Sequence, residues 1–415
     1  MKLRPVLLLI IPFLFSLSLN GQTTGCTDPQ ALNYNPEATI NDGSCVYLAT
    51  STTPVMVSRS LPQEVMETSG LICWNGGLWT HNDSGNQAML YKIDTITGLI
   101  LQTITLTGAE NTDWEDIAQD DEHIYIGDFG NNFGNRTDLK IYITEKSSFP
   151  LEGNGNVPAE IINFSYGDQP SFEIANRSND YDCESLIAYG DSLYIFTKNW
   201  VNEQTRLYGM PEVPGNYVLF PLGSMNSEGL ITGADVIAGG TEVILCGYKN
   251  YNPFIWLLFD FGGSDFFSGN KRRIEFSGML GTQTEGTSYT FGRNVYISSE
   301  KTTVIPARLF RLNTSPWTIT VPTGSEGNHK QNRELKMYPN PNDGNFRLEL
   351  GQGFKPDDYR AVIINSAGAT VMKDCSVDLS GGNASISLPE LEAGLYLLKV
   401  YSNEVILTGR LIVGL

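Results

Sequence analysis

The chain has 415 residues, with 46 acidic against 27 basic side chains, a formal net charge of −19 and a pI near 4.5. That acidity excludes nucleic acid as a partner, because phosphate binding needs a basic face. The length predicts two or three domains, and 42 glycines, 11% aromatics and no long helical spacing predict an all-β chain of short strands and turns.

Residues 1–21 read as a removable signal peptide: Lys2 and Arg4 open it, and Val6 to Leu19 form an apolar run interrupted by Pro12. No later segment approaches the length needed to cross a bilayer, so the mature chain is expected to carry no transmembrane segment. Of the six cysteines, Cys26 and Cys45 share one short Gly/Asn/Asp-rich segment and are the natural disulfide pair of an exported protein. Cys73, Cys183, Cys246 and Cys375 sit singly in apolar runs and read as buried fillers.

The segment 22–47 has too few apolar side chains for its own core and relies on the Cys26–Cys45 staple. Asp28, Asn33, Asn35 and Asp42 stand beside turn-forming Pro29, Pro36 and Gly43. Their oxygens suit a hard cation such as calcium and equally suit turn capping; both readings stand at this point. The strings Gly25-Cys-Thr-Asp-Pro, Asn33-Tyr-Asn-Pro and Asp42-Gly-Ser-Cys resemble a short Cys-to-Cys motif of secreted proteins from Bacteroidetes-type bacteria, described as thrombospondin-type-3-like. The resemblance implies a calcium-supported spacer or adhesion element.

Residues 48–322 contain an internal repeat. Segments from Ser69, Glu115, Glu184, Asp235 and Glu285 each run from a polar residue into an apolar strand, turn, and enter a second strand. Successive starts lie 46, 69, 51 and 50 residues apart, and further strand-like runs follow, such as 253–261 and 271–279. Four strands per repeat of this period predict a β-propeller. Five blades are counted, with room for a sixth in the 69-residue interval or at 54–59.

A polar linker, 323–335, leads to a block at 336–415 whose alternating strands fit a β-sandwich. Tyr338-Pro-Asn-Pro-Asn-Asp-Gly, Ile364-Asn-Ser-Ala-Gly and Ala393-Gly-Leu-Tyr are similar to the C-terminal sorting domain of type IX secretion cargo. This implies a secreted or cell-surface protein whose residues 336–415 have the type IX secretion machinery as partner.

In a propeller, the first strand of each blade starts and the second ends on the same rim. That gathers Glu115, Glu184, Asp235 and Glu285, with Glu67 beside Ser69, and adds Asp83, Asp128, Lys198, Lys249 and Glu300 from second-strand ends. Close carboxylates repel unless a cation or basic groups intervene, which makes this rim the candidate ligand-binding face and calcium the candidate cofactor. Strand-start acids could equally hydrogen-bond the backbone of the neighbouring blade. His81 is the histidine near the rim, but Asp83 and Ser84 are its sequence neighbours and make no converging triad. No nucleophile elbow, zinc or phosphate-loop motif occurs, so no catalytic residue is assigned.

Glu67-Thr-Ser-Gly-Leu, Asp113-Trp-Glu-Asp-Ile-Ala and Tyr125-Ile-Gly-Asp-Phe-Gly resemble secreted propellers of the same bacteria. The strand rhythm and rim acids, as in 184–194, are distantly similar to calcium-dependent β-propeller phytases. The missing nucleophile set, with Trp79, Trp114, Trp200 and Trp256, favours non-catalytic binding of an extracellular glycan, peptide or surface polymer. The alternative is a calcium-dependent phosphoesterase in which Glu115, Glu184, Asp235 and Glu285 hold calcium and Lys198 and Lys249 the phosphate.

Overall fold

A computed structural model of the chain describes residues 22–290, 293–318 and stretches of 336–414. The signal peptide expected at 1–21 and the linker expected at 323–335 lie outside the described residues. The chain divides into two compact units, Met1–Val321 and Pro322–Leu415.

The first unit is a ring of five antiparallel sheets. Blade one runs outward from Thr68–Trp74 through Gly77–Asn82 and Met89–Ile93 to Ile100–Thr107. Blade two uses Trp114–Gln119, His123–Asp128, Lys140–Glu145 and Glu160–Tyr166; blade three uses Asp182–Tyr189, Ser192–Lys198, Gln204–Pro211 and Gly223–Asn226. Blade four uses Leu230–Val236, Glu242–Lys249, Asn252–Phe259 and Asn270–Phe276. Blade five takes three strands from the end of the repeat, Thr284–Tyr289, Asn294–Ser299 and Arg308–Asn313, and its outer strand, Val55–Ser58, from the beginning.

Both places reserved for a sixth blade are thereby used otherwise. Val55–Ser58 closes blade five, while the long interval holds Gly155–Pro158, an extra strand on the edge of blade one, and the connection 167–181. The extra strands Gly215–Leu219 and Thr50–Thr52 pair in parallel with the outer strands of blades two and four, covering edges that would otherwise present unpaired backbone groups.

Five buried apolar clusters fill the five spaces between neighbouring blades. Trp79 meets Ile126 between blades one and two, Tyr125 meets Leu186 between two and three, and Phe196 meets Phe254 between three and four. Ile255 and Phe310 join four to five, and Leu309 with Leu78 joins five to one. Strands covered on both faces need apolar side chains at successive positions, which is why Glu242–Lys249 reads almost continuously apolar and is buried along most of its length.

The Cys26–Cys45 disulfide forms, and its segment packs on blade four rather than standing off as a spacer. Asn41 donates to Asn270 at 3.0 Å, Arg272 donates to Gln30 at 2.6 Å, and the Arg272 guanidinium lies 4.8 Å over the Tyr47 ring. The oxygens expected to bind calcium here are engaged in turns. Asp28 accepts from the Gln30 amide and the Tyr47 hydroxyl, Asn33 from Val46, Asn35 from Glu37 and Asp42 from Ser44. Replacing both cysteines with serine is expected to weaken this segment by about 3 kcal/mol, the cost of an unconstrained loop of this size, while the propeller stays folded. Hydrogen exchange at 26–45 would read the change, and unaltered protection would refute it.

The second unit is a sandwich of two sheets, Lys336–Tyr338, Asn345–Glu349 and Asn383–Ser387 against Thr370–Val377, Tyr359–Asn365, Gly394–Tyr401 and Ile406–Val413. Phe346, Leu348, Ile363, Leu398 and Leu411 are among its buried residues. Among the described residues, no helix is long and apolar enough to cross a membrane.

Candidate functional site

The innermost strands of all five blades carry a β-bulge near their start, between Thr68/Leu71, Trp114/Asp116, Cys183/Ser185, Ile231/Gly233 and Thr284/Thr287. A bulge leaves an extra residue unpaired and re-aims its side chain. The equivalent bulge residues are Ser69, Glu115, Glu184, Thr232 and Glu285. Ser69 donates its hydroxyl to the Glu115 carbonyl of blade two, and Thr232 donates to the Thr284 carbonyl of blade five. The two hydroxyls thus tie neighbouring blades, and the three glutamates are left to face the pocket.

The following position is Gly70, Asp116, Ser185, Gly233 and Gly286. Asp116 uses the room: its carboxylate accepts from Ile117 of its own blade, from Leu186 of blade three at 2.8 Å and from Ala234 of blade four at 3.1 Å. A side chain on Gly70 would collide with this carboxylate and with the Ile117 amide. Asp116 therefore crosses the channel below the pocket and joins three blades by hydrogen bonds.

Above it, among the described residues, seven carboxyl groups gather around the buried Lys198 ammonium. One oxygen each from Asp83, Asp113 and Glu115 lie within 4.8 Å of one another, and so do oxygens from Glu115, Asp182 and Glu184. Glu115 belongs to both groups. It is 5% exposed, and among the described residues no hydrogen bond reaches its carboxylate. Burial first, and then the Glu184 and Asp83 charges, push its pKa well above the usual range. Burial and the Asp83 and Asp182 charges raise Asp113 to about 7. On the opposite side, burial and the Glu300 charge raise Glu285 to about 8, and burial with Asp83 raises Glu300 to about 7.

Lys198 reaches both Glu184 oxygens at 2.6 Å and lies 4.7 Å from the Trp200 ring centre and 5.6 Å from that of Tyr248. Burial opposes its charge, but Glu184, Tyr248, Glu285 and Asp182 outweigh burial and hold its pKa well above the lysine range. Asp182 is fixed by the Asn131 amide at 2.5 Å and the Trp200 indole at 2.7 Å. Gly130 lies so close under Asp113 and Glu115 that any side chain there would strike both carboxylates.

Of the rim residues expected from sequence, the fold brings together Asp83, Glu115, Glu184, Lys198, Glu285 and Glu300. Glu67 is exposed at the margin, where it accepts from Asn86 at 2.6 Å. The others lie elsewhere. Asp128 is buried against Arg136 at 2.9 Å and accepts from the Asp113 amide, so it shapes the loop that carries Asp113. His81 is buried edge-on to Trp114 between blades one and two, where burial lowers its pKa to about 4 and keeps it neutral. Lys249 pairs with Glu203 at 2.5 Å.

Asp235 pairs with Ile244 near the far end of its strand, whereas Thr232 holds the bulge position at the strand start. Burial raises Asp235 to about 7 against the Tyr289 and Val236 amides that it accepts from. Trp79 and Trp114 are interior packing, and Trp200 is the tryptophan that meets the site.

Asp113 and Asp182 belong to the pocket and were missed. Their signal is a repeated acid two residues before the bulge, Asp113-x-Glu115 and Asp182-x-Glu184, with Gln283-x-Glu285 in blade five. Asp182 opens its strand and Asp113 lies just before its own, and the bulge that re-aims each glutamate brings it beside the acid two residues earlier.

Residues 336–414 match the family model described as a secretion system C-terminal sorting domain. No curated protein sequence matches the chain. Among solved structures, the chain is similar to a glucose dehydrogenase, at 8% identity and TM-score 0.37 over 62% of this chain and 99% of that one. A putative 6-phosphogluconolactonase from Bacteroides uniformis gives 13% identity and TM-score 0.32 over 81% and 90%. A structure titled as the Dos1 propeller gives 10% and 0.30 over 78% of each chain. These likenesses are remote and carry no chemistry to this chain. The protein is a five-bladed β-propeller with a type IX secretion sorting domain at its C-terminal side, which marks it for export.

Proposed function

We propose that this exported propeller, from a Bacteroidetes-type bacterium, binds an extracellular ligand through calcium held in its rim pocket. The observation that carries the reading is Glu115, a buried residue whose carboxylate is shared by two oxygen triads and accepts no hydrogen bond among the described residues. An acid so shielded from water and crowded by other carboxyl groups is costly to ionise, and a hard cation with carboxylate ligands removes the cost. Asp83, Asp113, Glu115, Asp182 and Glu184 are the residues that would hold the ion. Hydrolysis has less support. Lys249 is paired with Glu203, Lys198 is bound to Glu184, and among the described residues no histidine lies with the pocket groups.

Calorimetric titration of calcium into EDTA-stripped protein tests the reading. Uptake in the sub-millimolar to millimolar range of extracellular sites is expected, with a shift in Trp200 emission because its indole binds Asp182. No heat and no spectral change up to millimolar calcium would sink it.

A further inference from the structure

Two aromatic ladders diverge from Lys198, and each ends in an exposed side chain on an unusual backbone. In the first, Lys198 meets Trp200, and the guanidinium of Arg177 lies 5.0 Å from the same ring. Arg177 comes from the connection 167–181, which is tied to the neighbouring loop of blade two by the Arg177 amide to Asn132 and the Ala175 amide to Phe133. Its side chain is exposed and makes no hydrogen bond or ion pair among the described residues, while its charge acts on Glu300 across the mouth. In the second ladder, Lys198 meets Tyr248, and Tyr251 stacks on Tyr248 with ring centres 5.9 Å apart and planes 6° from parallel. Tyr251 is 51% exposed.

Both terminal residues have positive φ, 48° for Arg177 and 58° for Tyr251. Asn250 and Tyr251 form the two-residue turn between Lys249 and Asn252, with φ of 51° and 58°, where the second position ordinarily favours glycine. A bulky side chain kept where the backbone disfavours it points to function. An exposed ring is a platform for the apolar face of a sugar, and a stacked guanidinium with free N–H groups is a fork for an oxyanion.

We infer that the ligand is an acidic saccharide, its ring on Tyr251 and its oxyanion on Arg177, at the mouth of the carboxylate pocket. This rests on the calcium reading. The ion neutralises the pocket acids that would otherwise repel an anion, and sugar oxygens can complete its coordination.

The test titrates an oligogalacturonate into wild-type protein, Arg177→Gly and Tyr251→Gly, each with calcium and with EDTA. An uncharged oligogalactan, chondroitin sulfate and inositol hexakisphosphate serve as comparison probes. Glycine suits both backbones, so the variants are expected to fold, with Tyr251→Gly at least as heat-stable as wild type. Calcium uptake, measured separately, is expected to persist in both. The expected result is calcium-dependent binding of the carboxylated or sulfated saccharide, weakened about 10- to 100-fold by Arg177→Gly and several-fold by Tyr251→Gly. Calcium uptake without saccharide binding overturns this inference alone. So does equal binding of the uncharged oligogalactan, binding of inositol hexakisphosphate in place of the saccharides, or indifference to both substitutions. Saccharide binding in EDTA with no calcium uptake would instead remove the cation reading and leave the acidic saccharide standing.

Discussion

Glu115→Gln is expected to stabilise the cation-free protein and at the same time abolish its calcium binding. The residue is buried, its carboxylate accepts no hydrogen bond among the described residues, and it lies among Asp83, Asp113, Asp182 and Glu184. Glutamine keeps the shape and has no proton to gain or lose, so it removes the cost of placing an ionisable acid beside those neighbours. A gain of about 1 kcal/mol in EDTA is expected, the size typical of substitutions that relieve a functional site. Calcium affinity is expected to fall by about 100-fold or more, beyond the loss from removing an outer partner of a ligand. Chemical denaturation in EDTA and calcium calorimetry read the two effects. A destabilised variant that still binds calcium would show that Glu115 is only a structural residue.

The second large effect is an inverted dependence of stability on pH. Glu285 titrates near 8 in the folded protein against an ordinary value of 4.5, and Asp113 and Glu300 near 7 against 3.8 and 4.5. Between those limits the folded state holds protons that the unfolded chain has lost, so stability falls as pH rises through the folded values. Asp235, raised to about 7, acts in the same direction from the other end of its strand.

His81 acts oppositely between about 4 and 6.5, because the unfolded imidazole takes a proton that the buried ring refuses. Lys198 stays charged throughout this range. The clean window is therefore from about pH 6.5 to about 8, with each carboxyl contributing at most about 1.4 kcal/mol per pH unit. Thermal midpoints in EDTA should drop across that window, and calcium at the upper pH should restore them. A midpoint that holds level or rises in EDTA would contradict the pocket electrostatics.

The strand rhythm of the propeller was legible because blades packed on both faces must repeat apolar runs at a steady spacing. The disulfide was legible from two cysteines in a segment too polar for a core. The rim was legible only in part, because a bulge adds one residue and breaks the alternation that locates a strand start. Blade four shows the consequence: Asp235 offered the expected acid, but Thr232 occupies the bulge. At the end of the second strand Lys249 offered the expected charge, but Tyr248 holds the position equivalent to Lys198. Asp113 and Asp182 stand two positions before the repeating acid, outside the pattern of one acid per blade that the strand starts present. Arg177 and Tyr251 had no periodic signal at all; their positions depend on loop packing and on turn dihedrals.

The outer strand of blade five has a consequence for how the protein is made. Ser58 pairs with Leu309 and Val55 with Arg311, so the ring's clasp joins the two ends of the propeller sequence. Contacts this distant along a chain form slowly, since the whole intervening polymer must first be brought together. The segment before the clasp also waits, because Thr50–Thr52 and the disulfide loop need a finished blade four to rest on. The segment before the propeller is thus among the last to settle, and the ring stays open until its final blade has emerged.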